Sequence, residues 1–356
     1  MRHKRILYGV CGIGLGHTYR QLPIIEHLAR ENRIVIFAYG KSYAFYKKRF
    51  SRTTINVVKV AVPFYVSAKD GIDFAATAKR NRGIDFAGVN RRAISAAQRH
   101  LGTIDLVLSD YEPISAQYAY AKNIPLVTID QQTKYLVGKF PPTIDGKNFA
   151  DEVAKLRLFF PTATKRIVCS FFRFSTKRKD VVACPPILRK EILRLKRKPE
   201  QNRIFIYLSS QERIAQTPRA FLNALAKQDA HFSLYAEGYE WGKLPVNVHK
   251  PELSHFMDDL ARCTGIISTA GHTLLSEAMH LGIPVYALTL DVYEQRMNAK
   301  IINDHGFGVA KPKLDATSLA TFLTSIPDYK KQIAADKRVL LRGSGKQAVL
   351  KALRKL

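Results

Sequence analysis

Short runs of consecutive apolar residues alternate along this chain with stretches whose apolar positions recur every three to four residues. Ile6–Cys11, Ile34–Tyr39, Asp105–Ser109, Pro125–Ile129 and Ile167–Phe171 read as buried strands, with helices expected at Tyr19–Arg30 and Ile114–Lys122. Unbroken apolar runs of strand length, separated by amphipathic segments, suit a mostly parallel sheet covered by helices on both faces. A second set, Arg203–Leu208, Phe232–Ala236, Gly265–Ser268 and Pro284–Leu288, repeats the arrangement. Between the two sets lies a basic stretch holding Lys177, Arg178, Lys179, Arg189, Lys190, Arg194, Lys196, Arg197 and Lys198, with Pro185-Pro186 and then Pro199. That is the composition of an exposed connector. The pattern predicts an α/β protein with two Rossmann-like doubly wound domains, 1–187 and 188–328, and a basic helical segment, 329–356.

Composition narrows the class without choosing a function. The 356 residues are 46% apolar and 24% charged, ordinary globular usage that excludes wholesale disorder. No apolar run approaches the ~18–20 residues that span a bilayer. The basic start followed by Ile6–Gly16 mimics a secretion signal, but glycines interrupt it and His17-Thr18-Tyr19-Arg20 lacks a small-residue cleavage site. Cys11, Cys169, Cys184 and Cys263 are scattered with no CxxC pair, which points to a reducing, cytoplasmic setting and to no zinc site. The net charge of +28 implies attraction to something anionic: a phosphorylated substrate, a membrane surface or a nucleic acid.

Open α/β sheets bind ligands beyond the carboxyl ends of their strands, so chemistry is expected directly after each strand. Gly12-Ile13-Gly14-Leu15-Gly16-His17 follows the first strand and opens a helix. Its GxGxG spacing, and the absence of a carboxylate after the second strand (Ala38-Tyr39-Gly40), disfavour a nicotinamide site. His17 at the mouth of a cleft is placed for proton transfer or is a residue of the helix start. Asp110 in Ser109-Asp110-Tyr111-Glu112-Pro113 is placed to orient His17, to cap the helix that follows, or both. Gly14, Gly16, Arg20 and Glu112 complete this first cluster.

A longer constellation runs from Ser268 to Ala278, continues through Leu281-Gly282-Ile283-Pro284, and ends in Glu294-Gln295-Arg296-Met297-Asn298-Ala299. Gly271, His272 and Thr273 open a helix after a strand, where free N–H groups and the positive end of the dipole hold a diphosphate without a metal. Glu277, almost two turns on, is set to accept hydrogen bonds from a ribose diol. Glu294 and Gln295 are set to grip sugar hydroxyls.

In the order of these motifs the chain resembles the GT-B glycosyltransferases that use nucleotide-diphosphate sugars. Nearest are the UDP-glycosyltransferase branch and the peptidoglycan lipid-intermediate N-acetylglucosaminyltransferase. The shared pattern is a glycine loop ending in His, then G-x5-E, G-x-P and [DE]-Q-x-x-N-A. The resemblance implies two domains facing across a cleft, with the final helix crossing back to the first. It makes His17 the catalytic base and Asp110 its partner. It places donor diphosphate at Gly271, His272 and Thr273, ribose at Glu277, and the transferred sugar at Glu294 and Gln295. It adds Ser210 and Gln211 for donor phosphate or base, and Pro251 and Glu252 beside the nucleobase. The chain departs from the plant-type signature at His249, where that branch has a Trp, at Thr269, where it has a His, and at Thr273-Leu274, where it has Asn-Ser. The implied reaction is inverting transfer from a nucleotide sugar, of which UDP-sugar is the first choice. No DxD-type carboxylate pair follows a strand, so metal independence is expected.

Aromatic residues interleave with basic ones in Tyr43–Phe50 and again in Phe171–Arg178. Read functionally, they dock the enzyme on the anionic inner face of the cell membrane, toward a glycan or lipid-linked acceptor. Read structurally, they are ordinary solvated faces. A nucleic-acid partner is not expected, although a nucleic-acid-modifying glycosyltransferase is an alternative reading. A sugar-nucleotide epimerase or glycoside hydrolase on the same scaffold is another. Asp110 and Glu112, two residues apart, make a poor hydrolase pair.

Overall fold

The apolar runs form strands, and all of the pairings within the two large sheets are parallel. A computed structural model describes residues 2–68, 71–208, 214–236 and 238–356. The first sheet contains β1 (Arg5–Val10), β2 (Arg33–Ala38), β3 (Asn56–Lys59), β4 (Leu106–Asp110), β5 (Leu126–Asp130), β6 (Lys165–Cys169) and β7 (Val181–Cys184), in the order β7-β6-β5-β4-β1-β2-β3. Helices cover both faces, among them α1 (Gly16–Leu28), α2 (Gly40–Arg49), α3 (Pro113–Ala121) and α4 (Ala150–Phe159). The second sheet contains β8 (Arg203–Leu208), β9 (His231–Ala236), β10 (Val248–His249), β11 (Gly265–Ser268), β12 (Val285–Leu288) and β13 (Gly308–Lys311), in the order β10-β9-β8-β11-β12-β13. Its helices include α5 (His272–Leu281), α6 (Tyr293–Asp304) and α7 (Ala316–Ala335).

In each sheet the winding direction reverses at one point, between β1 and β4 and between β8 and β11. Such reversals leave a crevice beyond the strand ends, and both motif clusters follow strands that flank one.

The sequence reading missed the edge strands β3, β7, β10 and β13. Edge strands are short and half-solvated, so they lack the unbroken apolar run that marks a central strand. β7 lies inside the stretch read as connector. The boundary drawn at 328/329 falls within α7, which continues to Ala335 despite Pro327. The crossing back begins later: Leu340 bridges Phe172, and the final helix α8 (Gly345–Leu353) buries Val349 and Leu353 in the core of the first sheet.

The two aromatic–basic segments are partly covered by the fold. Tyr46 and Phe50 are buried, Tyr43 and Phe45 pack against the same core, and Phe171 and Phe172 are buried as well. Four of the aromatic rings therefore fill the protein, while Tyr43, Phe45 and Phe174 are half-buried. Among the described residues no helix is long and apolar enough to cross one.

Candidate active site

β1 ends at Val10, in register with Asp110, the last residue of β4. The glycine loop then turns the chain so that α1 starts beside Asp110. His17 Nδ1 lies 3.1 Å from Asp110 Oδ1, and Arg20 Nη2 lies 2.8 Å from both of those atoms. Arg20 is one turn beyond His17, so both side chains leave α1 on the same face. Asp110 is fully buried and Arg20 nearly so, whereas the His17 side chain keeps 13% of its exposure and is the most accessible member of the trio.

Burial disfavours the charged His17 ring, but the negative charge of Asp110 outweighs it, Cys11 adds to it and Arg20 opposes it; the imidazole pKa rises to about 10. Burial alone would raise the Asp110 carboxyl. The charges of Arg20 and His17 overcome that and hold it below its ordinary range.

Glu112 does not belong to this cluster. It is fully buried and caps α3, its carboxylate accepting from Ile114 N at 2.7 Å and Ser115 N at 2.8 Å. The capping role considered for Asp110 therefore falls to Glu112. Burial lifts the Glu112 carboxyl to about 7 although the bonds from Ser115 and Ile114 pull it down. Gly9 makes room for this cap, since a Cβ there would lie 2.5 Å from Glu112 Oε2. Gly14 occupies the left-handed region (φ 69°), as the turn into α1 requires.

Across the cleft, β11 ends at Ser268 and the chain passes through Ala270, held at φ 57°, to the start of α5. Asn298 on α6 donates to the Ala270 carbonyl at 3.0 Å and so fixes this turn. His272 and Thr273 form the first turn of α5. A Cβ at Gly16 would come within 2.8 Å of Thr273 Oγ1, so the N-termini of α1 and α5 meet face to face. His272 is buried against Phe171, with its Nε2 unpartnered among the described residues. Burial first, then the charges of Lys134, Arg20 and His17, depress its pKa well below the ordinary value.

Glu294 and Gln295 occupy the first turn of α6, and Gln295 Oε1 is buried without a partner among the described residues. Glu277 is buried on α5 and is gripped by Arg189, which donates from Nε and Nη2 at 2.7 Å each. Pro251 and Glu252 precede a single 3-10 turn, with Glu252 exposed. Ser210 and Gln211 lie outside the described residues.

Two residues escaped the sequence reading altogether, and two were named there without a role. Gln132 places Nε2 3.4 Å from His17 Nε2. Lys134 is fully buried, bonded to the Gln131 carbonyl at 2.9 Å and 4.5 Å from the Tyr135 ring centroid, and burial depresses its pKa to about 8. Both directly follow β5, so the strand-end rule applied to the other motifs would have found them. Asn298 was read as part of the Glu294–Ala299 motif and Arg189 as part of the basic connector, neither with a partner, because their partners lie far away in sequence.

A family model described as "Glycosyl transferase family 1" matches residues 4–327. Among solved structures, the glycotransferase of kitacinnamycin is similar over 100% of both chains, at 17% identity and a TM-score of 0.70. UGT2 of Phytolacca americana, complexed with UDP-2fluoro-glucose and pterostilbene, is similar over 100% of both chains at 11% identity and a TM-score of 0.68. SnogD from Streptomyces nogalater is similar over 99% of this chain and 100% of its own, at 17% identity and a TM-score of 0.61. At these identities the likeness is one of fold. No curated protein matches.

Proposed function

Because the chain belongs to glycosyl transferase family 1, with the GT-B architecture of two facing doubly wound domains, we propose that it transfers a sugar from a nucleotide-diphosphate donor, UDP-sugar first, to an acceptor hydroxyl with inversion at the anomeric carbon. One observation carries this reading. The N-terminus of α1, bearing His17, faces the N-terminus of α5 so closely that a Cβ at Gly16 would lie 2.8 Å from Thr273 Oγ1. Two positive helix ends, with Arg20 and Lys134 close by, are a favourable arrangement when an anion such as a diphosphate lies between them.

In the reaction the acceptor oxygen attacks the anomeric carbon and gives its proton to His17 Nε2. The bond to the diphosphate breaks, and its electron pair leaves with the phosphate oxygen. The N–H groups that open α5 stabilise that charge as it develops. Asp110 holds the ring through Nδ1, the role of the acid in a His–Asp pair. These fixed positive groups supply the charge that a metal supplies elsewhere, and no metal is required in this reading. His17→Ala is expected to lower turnover by ~10²–10⁴-fold with donor-nucleotide affinity unchanged. Near-normal turnover in that variant rejects His17 as the base.

A glycan or lipid-linked acceptor at an anionic cytoplasmic membrane face is the accompanying reading, now supported from a different segment. Phe64, Phe74 and Ile84 are 58%, 65% and 51% exposed on the first domain, and Lys79, Arg80 and Arg82 among them are exposed too. Apolar side chains set among cations suit anchoring at anionic lipid.

A further inference from the structure

The proton acceptor proposed for the reaction, His17 Nε2, is not bare. Gln132 Nε2 stands 3.4 Å from it, at the far edge of the ring from Nδ1, where Asp110 and Arg20 lie. Gln132 is 8% exposed, and its Oε1 has no partner among the described residues. A side-chain amide suits either form of the ring. Its N–H donates to a bare nitrogen, and turning the amide over brings Oε1 to accept from a protonated one. In both cases the amide occupies the direction from which an acceptor hydroxyl must approach.

The backbone under Gln132 is held from both sides. Asp130, buried at the end of β5, accepts from Thr133 N at 2.7 Å and from Thr133 Oγ1 at 2.8 Å, and the buried Lys134 donates back to the Gln131 carbonyl at 2.9 Å. Gln132 sits inside this turn, so clearing the base needs only its side chain to move. A water molecule offers the ring about what the amide offers, and exchanging one for the other gains little. An acceptor brings the binding energy of the rest of its surface. We propose that Gln132 is a positioning residue that keeps water off His17 Nε2 until an acceptor displaces it, and so holds donor hydrolysis below transfer. The proposal rests on His17 being the base. In the reaction it suppresses, a water oxygen attacks the anomeric carbon and gives its proton to His17 Nε2. The bond to the diphosphate breaks, its electron pair leaves with the phosphate oxygen, and the products are free sugar and nucleoside diphosphate.

Two measurements on the full chain test it. Carbethoxylation of His17 by diethyl pyrocarbonate, followed by peptide mass, should run about three- to tenfold faster in Gln132→Ala than in the wild type, roughly the worth of one neutral hydrogen bond. Release of UDP from UDP-glucose, UDP-galactose or UDP-N-acetylglucosamine, with no acceptor added, should rise by a similar factor. An unchanged labelling rate overturns the proposal, and so does unchanged hydrolysis of a donor that the wild type cleaves. Should neither protein release UDP, the labelling rate alone decides. Adding His17→Ala should return hydrolysis to the wild-type rate or below. A rise that survives this second substitution removes the base reading and the proposal with it, whereas unchanged labelling removes the proposal alone. Gln132→Ser takes the place of the alanine variant if that one does not fold.

Discussion

As the proposed base, His17 carries two demands that pull against each other. Asp110 must orient the ring, yet the same charge raises its pKa to about 10, and a protonated imidazole accepts nothing. Arg20 stands within 2.8 Å of both groups and offsets part of that charge. The expected consequence is a kcat/KM that climbs from about pH 6 to about pH 9 as the neutral fraction grows. A flat profile over that interval counts against His17 as the titrating base. The sign for stability is opposite. A pKa raised above its unfolded value of about 6.5 gives stability that is fully present below that pH and lost as pH rises toward about 10. Asp110→Asn should move the rate profile toward acid while lowering turnover, because the ring loses both the charge and its orientation.

At the scale of elements, each segment of the candidate site is set by a support outside it. Glu112 closes the N-terminus of α3 and fills the space that Gly9 leaves beside β1. Glu112→Ala should cost about 1–2 kcal/mol, read as a lower denaturant midpoint at unchanged slope. Full stability in that variant would mean that the cap contributes nothing. Asn298 does for the turn before α5 what Glu112 does for the turn after β4. It ties the strained Ala270 to α6, and α6 also bears Glu294 and Gln295.

Across the whole molecule, the domains are joined by more than the connector. Tyr293 donates to the Pro141 carbonyl at 2.5 Å and packs against Phe149 and Tyr135, Arg296 reaches the Asp145 carbonyl, and α8 returns to the first sheet. If Phe64, Phe74 and Ile84 anchor the protein, sedimentation with anionic vesicles should weaken as salt rises. It should also fall when the three are replaced by serine. Equal recovery with neutral and anionic vesicles would sink that reading.

The central strands and the motifs behind them were legible in the chain because both are local. An unbroken apolar run marks a strand, and glycine, histidine or aspartate directly after it marks the sheet edge where ligands bind. Tertiary structure decided which side chains meet. His17 and Asp110 are 93 residues apart, and Arg189 and Glu277 are 88 apart. No periodicity encodes such pairs, since they depend on how two sheets and their helices pack. The same packing settled the fate of the aromatic residues in Tyr43–Phe50 and Phe171–Arg178. Spacing shows that a face is apolar, but only the fold determines whether another element covers it.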